Sequence, residues 1–342
     1  MADSFWGERS VLVTGGTGLL GGWLVPALVR RRSRVVVLVR DNAPESALVR
    51  DGWMSSLAAV YGSISDADLL RWVLAEYSVQ TVFHLAAQTQ VGVAKVDPVG
   101  TLEANVRGTW NVLEAARGCR GVQVVVASSD KAYGASGELP YTEEHPLRGT
   151  YPYDVSKSCM DLISSMYATS FSLPVAIARC ANLFGGGDLN FDRVIPGVIR
   201  ASLRGERFVI RSDGKYVRDY LFVEDAVEGY LKLAERLAQE PALAGAAFNF
   251  SAKERRTVLE VVHAVLRLFG RTDLEPIILN QASNEIREQT LSSDKAQRVL
   301  DWAPQFDFPE ALQRTIEWYR TYLAGSSDSQ ESPARVPAPS TV

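Results

Sequence analysis

Three observations predict a doubly wound α/β fold. Runs apolar on both faces recur through the first half of the chain, helix-length segments separate them, and a glycine-rich turn joins the first run to the first helix. A strand with two apolar faces has to be covered on both sides, which a parallel sheet between two helix layers achieves. Right-handed crossovers then give the winding of a Rossmann-type sheet.

The elements follow in order. Ser10–Thr14 (SVLVT) is a buried strand and Leu19–Arg32 an apolar helix. Arg34–Val39, Thr81–Leu85, Val122–Ala127 and Pro174–Ala178 are further strands, with helices over Val99–Ala116 and Tyr153–Ser170 in two of the crossovers. After residue 180 the pattern changes to a Gly185-Gly186-Gly187-Asp188 loop and helices at Arg193–Arg204, Val227–Ala238, Val258–Phe269, Asp294–Leu300 and Pro309–Leu323. No second glycine fingerprint occurs there. The division expected is a dinucleotide domain over 1–180 with a returning segment near 215–250, a smaller substrate lobe over 181–324, and a Ser/Pro/Ala-rich disordered tail over 325–342.

Length and composition agree with this. The chain has 342 residues, of which 46% are hydrophobic and 22% charged, enough for a full core. Lys and Arg number 36 against 40 Asp and Glu, with no long basic run, so nucleic acid is not an expected partner. Three cysteines and three histidines lack metal-ligand spacing, and no metal site is expected. Neither an apolar leader over Met1–Arg9 nor a run of ~20 apolar residues is present, so the expectation is a cytoplasmic enzyme acting on small molecules.

Thr14-Gly15-Gly16-Thr17-Gly18-Leu19-Leu20-Gly21 lies directly between the first strand and the first helix. Glycines let the backbone turn tightly and approach a pyrophosphate, and the helix N-terminus offers free N–H groups to the anion. The second strand ends Val39-Arg40-Asp41. An acidic tip selects the ribose hydroxyl of NAD and a basic one the phosphate of NADP, so one of each leaves that choice open.

Ser129 ends the fourth strand, and Tyr153 and Lys157 follow as Y-x-x-x-K. Four residues apart on a helix, the phenol and the ammonium share a face and both reach over the strand ends. A neighbouring cation favours the phenolate, which makes Tyr153 an expected base.

These residues resemble the extended short-chain dehydrogenase/reductases, of the NAD-dependent epimerase/dehydratase type, that act on nucleotide-sugars. The likeness runs from about Val11 to Leu323. It rests on the Thr14–Gly21 turn, His84-Leu85-Ala86-Ala87, Asn105 in Asn105-x-x-Gly108-Thr109, the Ser129/Tyr153/Lys157 set, Asn182, and Arg218-Asp219-Tyr220-x-x-Val223-x-Asp225. Within the family the chain is most similar to CDP-glucose 4,6-dehydratases, through Gly21-Gly22-Trp23-Leu24, Ala86-Ala87-Gln88, Ser129-Asp130-Lys131-Ala132-Tyr133 and Gly185–Asp188 followed by Asp192-Arg193 and Ile195-Pro196. It departs in two places. Where that subfamily carries Arg-Pro-Trp-Gln-His this chain has Arg218-Asp219-Tyr220-Leu221-Phe222, and the usual Gly-Asp after strand three is Gly62-Ser63.

The resemblance implies NAD, held by Gly15, Thr17, Gly18, Leu19, Leu20, Gly21, Arg40, Leu85, Ala86, Ala87, Asn105, Tyr153 and Lys157. It implies a nucleotide-diphosphate hexose beside Gln88, Asn182, Arg193, Arg211, Arg218 and Arg287. In a 4,6-dehydratase Tyr153 takes the O4 proton as hydride leaves C4, a base takes the C5 proton, an acid protonates the departing O6, and hydride returns to C6. Asp130 stands at the acid's place. Lys131 stands where thymidine-diphosphate-glucose dehydratases carry a glutamate base, so it either acts as the base with a depressed pKa or orients a water. Two other readings use the same fold: a 4-epimerase, which does not need Asp130 and Lys131, and a non-catalytic dinucleotide-binding protein, which has no use for Ser129, Tyr153 and Lys157 together. Relatives pair through the two helices at 99–116 and 153–170, whose apolar residues include Trp110, Val112 and Leu113, and Met160, Leu162, Ile163 and Met166, so a homodimer is expected.

Overall fold

The computed structural model describes residues 5–281 and 286–327. Among them the strands are β1 (Ser10–Thr14), β2 (Arg34–Val39), β3 (Ala58–Tyr61), β4 (Thr81–His84), β5 (Gln123–Ser129), β6 (Val175–Cys180), β7 (Asn182–Phe184), β8 (Val209–Ile210), β9 (Val217–Phe222), β10 (Ala247–Phe250), β11 (Arg255–Thr257), β12 (Ile277–Ile278) and β13 (Glu288–Gln289). The helices are α1 (Leu19–Arg30), α2 (Ala47–Arg50), α3 (Ala67–Glu76), α4 (Val91–Val96), α5 (Pro98–Leu102), α6 (Gly108–Arg117), α7 (Pro152–Phe171), α8 (Val194–Arg204), α9 (Val223–Gln239), α10 (Val258–Phe269), α11 (Asp294–Leu300) and α12 (Phe308–Ser327).

Seven strands form one wholly parallel sheet in the order β10-β6-β5-β4-β1-β2-β3. Alternate side chains leave it on opposite faces. Val35, Val37 and Val39 join a core that contains Leu24 and Leu28 of α1 and Leu231 and Leu233 of α9, whereas Val36 and Leu38 join one that contains Val73 of α3, Val112 of α6 and Met160 of α7. This is the doubly wound class read from the sequence. Strand order reverses between β1 and β4, and the glycine turn sits at that switch point, where ligands of open α/β sheets bind.

Two edge strands are four residues each, too short for a periodicity signal. β10 pairs in parallel with β6. The remaining strands form two smaller sheets. β9 pairs with β7 and β13 in parallel and with β11 antiparallel, and β8 pairs with β12.

Most boundaries shift by a few residues from the sequence reading, and three differences stand out. The helix expected over 99–116 is broken by a π turn at Glu103–Arg107 between α5 and α6. α1 stops at Arg30, because Arg32 turns into the left-handed region with φ 63°. α12 runs on to Ser327, so the first three residues of the expected tail are helical; 328–342 lie outside the described residues. No helix is long and apolar enough to cross a membrane, and no cluster of metal-ligating side chains occurs, among the described residues.

Candidate active site

A cleft of about 1350 Å³ runs over the C-terminal ends of β1, β2, β4, β5 and β6 and on past β7 to Arg193, Arg211 and Arg218. That exceeds the ~300–1,000 Å³ that holds one drug-sized ligand, and it leaves room for two.

At its floor the glycine turn has the shape of an anion cradle. Gly15 has φ 74°, and a Cβ there would meet Ala86 N at 2.7 Å; at Gly21 a Cβ would meet Gly15 O at 2.4 Å. Gly18 differs: it faces the cleft, and the one atom within 4 Å of a Cβ there is Gly15 O at 3.4 Å. A side chain at Gly18 would fill the space above the turn. α1 begins at the next residue with no side chain capping it, so its first N–H groups point at that space. The residues present therefore fit a pyrophosphate. Thr17, Leu19, Leu20, Leu85, Ala86 and Ala87 line the same stretch. Arg40 and Asp41 also line it, but Arg40 Nε donates to Asp41 Oδ2 at 2.6 Å with both side chains exposed, so the two charges offset each other.

Asn105 and Gln88 stand one layer behind the cleft. The Asn105 amide accepts from Gln88 N at 2.6 Å and donates to Gln88 O and to Ser156 Oγ, at 3.0 and 2.8 Å. Ser156 in turn donates to the Tyr153 carbonyl at 2.7 Å. A second chain reaches the same place through His84. Thr109 donates to the Asn105 carbonyl at 2.5 Å, so its oxygen accepts from His84 Nε2. His84 Nδ1 then accepts from Thr14, whose oxygen accepts from Ala86 N at 3.2 Å. Burial drives the His84 pKa down to about 3, so the ring is neutral, as this relay requires. The π turn carries Asn105 into this network, a common place for such turns.

Ser129, Asp130, Lys131, Tyr153 and Lys157 meet at the centre of the cleft. Lys157 Nζ donates to the Ala127 carbonyl at 2.8 Å and lies 5.9 Å from the centre of the Tyr153 ring. Burial lowers the Lys157 pKa to about 8. For Tyr153, burial and then the Asp130 carboxylate push the phenol above its ordinary range, and the Ser129 hydroxyl opposes them. The sequence reading expected the opposite direction from Lys157; desolvation of a wholly buried phenol outweighs it here. Ser129 donates to Asp130 Oδ1 at 2.9 Å. Asp130 is almost wholly buried, and its Oδ2 has no hydrogen-bond partner among the described residues. Lys131 donates to the Gln289 amide oxygen.

The arginines divide. Arg193 lines the cleft, held by Asp188 at 2.8 Å and by the Leu183 carbonyl at 2.7 Å. Arg211 lines it at an exposed rim and pairs with Asp192 at 2.9 Å. Arg218 lines it too, donating to the Val217 and Arg287 carbonyls, and Asn182 lies nearby on β7. Arg287 does not line the cleft. It pairs with Asp213 at 3.1 Å, and its guanidinium lies 5.7 Å from the Tyr216 ring centre, with that of Arg218 at 5.6 Å from the same ring.

Sequence reasoning missed three participants. Cys180 lies level with Ser129 across β5 and β6, lines the cleft, and burial lifts its thiol to about 12. Asp154, also in the cleft, is lifted to about 6 by burial. Gln289 has no motif around it.

The model of the NAD dependent epimerase/dehydratase family matches residues 11–249, and the chain belongs to that family. It is 30% identical to the CDP-glucose 4,6-dehydratase of Salmonella typhimurium over 94% of this chain and 93% of that one. It is 29% identical to the dTDP-glucose 4,6-dehydratase of Xanthomonas campestris, over 96% and 98%. Among solved structures, the dTDP-glucose 4,6-dehydratase of Streptomyces venezuelae with NAD bound superposes with a TM-score of 0.83 at 27% identity, covering 92% of this chain and 97% of that one. The UDP-glucose 4-epimerase of Thermotoga maritima, solved with UDP-glucose, gives the same TM-score at 26% identity, covering 92% and 100%.

Proposed function

We propose that the chain is an NAD-dependent nucleotide-sugar 4,6-dehydratase that converts a CDP-glucose-like substrate to the 4-keto-6-deoxyhexose. The observation that carries this over epimerisation is Asp130: a buried carboxyl that lines the cleft beside Ser129, with one oxygen unpartnered among the described residues. An epimerase has no step for that group.

NAD held by the Gly15–Gly21 turn would supply an oxidised ring for hydride transfer from C4 and back to C6 and a positive charge that favours the tyrosinate. The chain's residues move the protons. Tyr153 takes the O4 proton, with the Ser129 hydroxyl close by to lower the phenol's pKa and Lys157 fixed beside it by Ala127. The resulting ketone makes the C5 proton acidic. Lys131 as the neutral amine takes that proton, the C6–O6 bond breaks with Asp130 in its protonated form giving its proton to the departing hydroxyl, which leaves as water, and as hydride returns to C6 the Lys131 ammonium gives the proton back to C5. Arg193, Arg211 and Arg218 are positioned to bind the diphosphate by charge-assisted hydrogen bonds. The cofactor would rest on the 1–180 unit with the 215–250 return, and the sugar nucleotide on 181–324.

The chain also fits a homodimer. Val112, Leu113 and Met160 of the helix pair are core residues, while Trp110, Leu162 and Met166 are 42%, 59% and 42% exposed on the outer side. An apolar patch of that kind on adjacent helices calls for a partner surface.

Asp130→Asn tests the assignment. It leaves C4 oxidation intact and slows water loss by about 10²–10⁴-fold, the usual worth of a general acid, so reduced nicotinamide builds up on mixing with substrate. Wild-type turnover with no reduced cofactor would return the lead to epimerisation.

A further inference from the structure

Gln289 lies 158 residues from Lys131 in the chain, yet its amide oxygen accepts from the Lys131 ammonium. The side chain is fully buried, and its own NH₂ has no partner among the described residues. Acceptance from an ammonium fixes which end of the amide faces Lys131, since an ammonium only donates.

The strand that carries Gln289 is tied to both halves of the site. In register it pairs with β9, Gln289 opposite Arg218. On the other side Tyr141 N donates to the Thr290 carbonyl and Ser292 N to the Tyr141 carbonyl, each at 2.8 Å, and Tyr141 Oη closes on the Gly134 carbonyl at 2.6 Å, just past the Asp130–Tyr133 turn. Leu291 N donates to Asp219 Oδ2 at 3.2 Å. One short segment thus stitches the turn bearing the acid and base to the strand bearing a cleft arginine.

We infer that Gln289 is a positioning residue that holds the Lys131 amine over the sugar C5 for the elimination half of the reaction. The inference rests on the dehydratase reading. Its chemistry favours an amide over a carboxylate. A neutral acceptor fixes the nitrogen through one N–H and leaves the lone pair of the free amine for the C5 proton, whereas a carboxylate would stabilise the ammonium and withhold that pair. Charged groups around Lys131 include Asp130 on its own turn and Asp154 of α7, and Arg218 of β9 lies opposite Gln289.

The test follows nicotinamide absorbance in a single turnover, with the member of a CDP-, dTDP-, UDP- and GDP-glucose panel that wild type dehydrates. Gln289→Met should leave the rise, C4 oxidation, unchanged and slow the decay, hydride return after elimination, about 10- to 100-fold, the loss expected when a charged group forfeits one hydrogen bond. Gln289→Glu keeps the acceptor and the shape. Its decay should be slow at neutral pH and recover as pH rises, with melting temperature held. Two results would overturn the inference while leaving the dehydratase reading in place. One is both phases at wild-type rates in both variants. The other is both phases falling together with the folded fraction. If wild type releases no water from any panel member, the dehydratase reading fails first and this role falls with it.

Discussion

Lys157 donates to the Ala127 carbonyl at 2.8 Å while its ammonium sits 5.9 Å from the Tyr153 ring, so a backbone atom of β5 sets the distance between the cation and the phenol. Strand end and helix are thereby locked in one geometry. The cation is also buried at a cost, and that cost can be measured. Its pKa in the folded chain is about 8 against an ordinary 10.5, so the unfolded chain holds the proton more tightly. The penalty, on the order of 3 kcal/mol at 1.36 kcal/mol per unit, is complete below about pH 8 and is relieved as pH rises toward 10.5. Lys157→Met should therefore lose turnover by well over tenfold yet melt higher than wild type at neutral pH, the gap narrowing between pH 8 and 10.5. A pH-independent difference in melting temperature would show that burial of the charge is not what shifts it.

Gly18 separates cofactor binding from folding. Its φ of −79° suits any residue, and a Cβ there meets only Gly15 O within 4 Å. Gly18→Val should fold with wild-type thermal stability but purify without NAD, judged by mass spectrometry of the denatured supernatant. Retention of NAD at wild-type stoichiometry would move the pyrophosphate elsewhere.

The turn and the Tyr153–Lys157 pair were legible in the sequence because their chemistry is local. A strand, a glycine turn and a helix are adjacent, and residues four apart share a helix face. The four-residue strands β3 and β10 at the sheet edges give no period to read. The π turn was invisible because the apolar pattern continues through Glu103–Arg107. What places Lys131 was invisible for another reason: its partner Gln289 is brought to it only by the pairing of β13 with β9. Tyr319 closing on the Asp188 carbonyl, across 131 residues, is a contact of the same kind, and it secures the loop that holds Arg193.

Trp110 and Leu162 test the proposed dimer. Both are substantially exposed on neighbouring helices, so Trp110→Glu with Leu162→Glu should cost little in the folded monomer and convert a dimer to a monomer by light scattering at micromolar concentration. A monomer mass for the wild type would remove the dimer from the account.

The central claim is that Asp130 and Lys131 make this site eliminate water after C4 oxidation. Incubation of the purified protein with CDP-, dTDP-, UDP- and GDP-glucose, followed by product mass, tests it most directly. The account predicts a product lighter by one water from at least one of them, with no net consumption of NAD. A product of unchanged mass at a new retention time would contradict it and identify an epimerase.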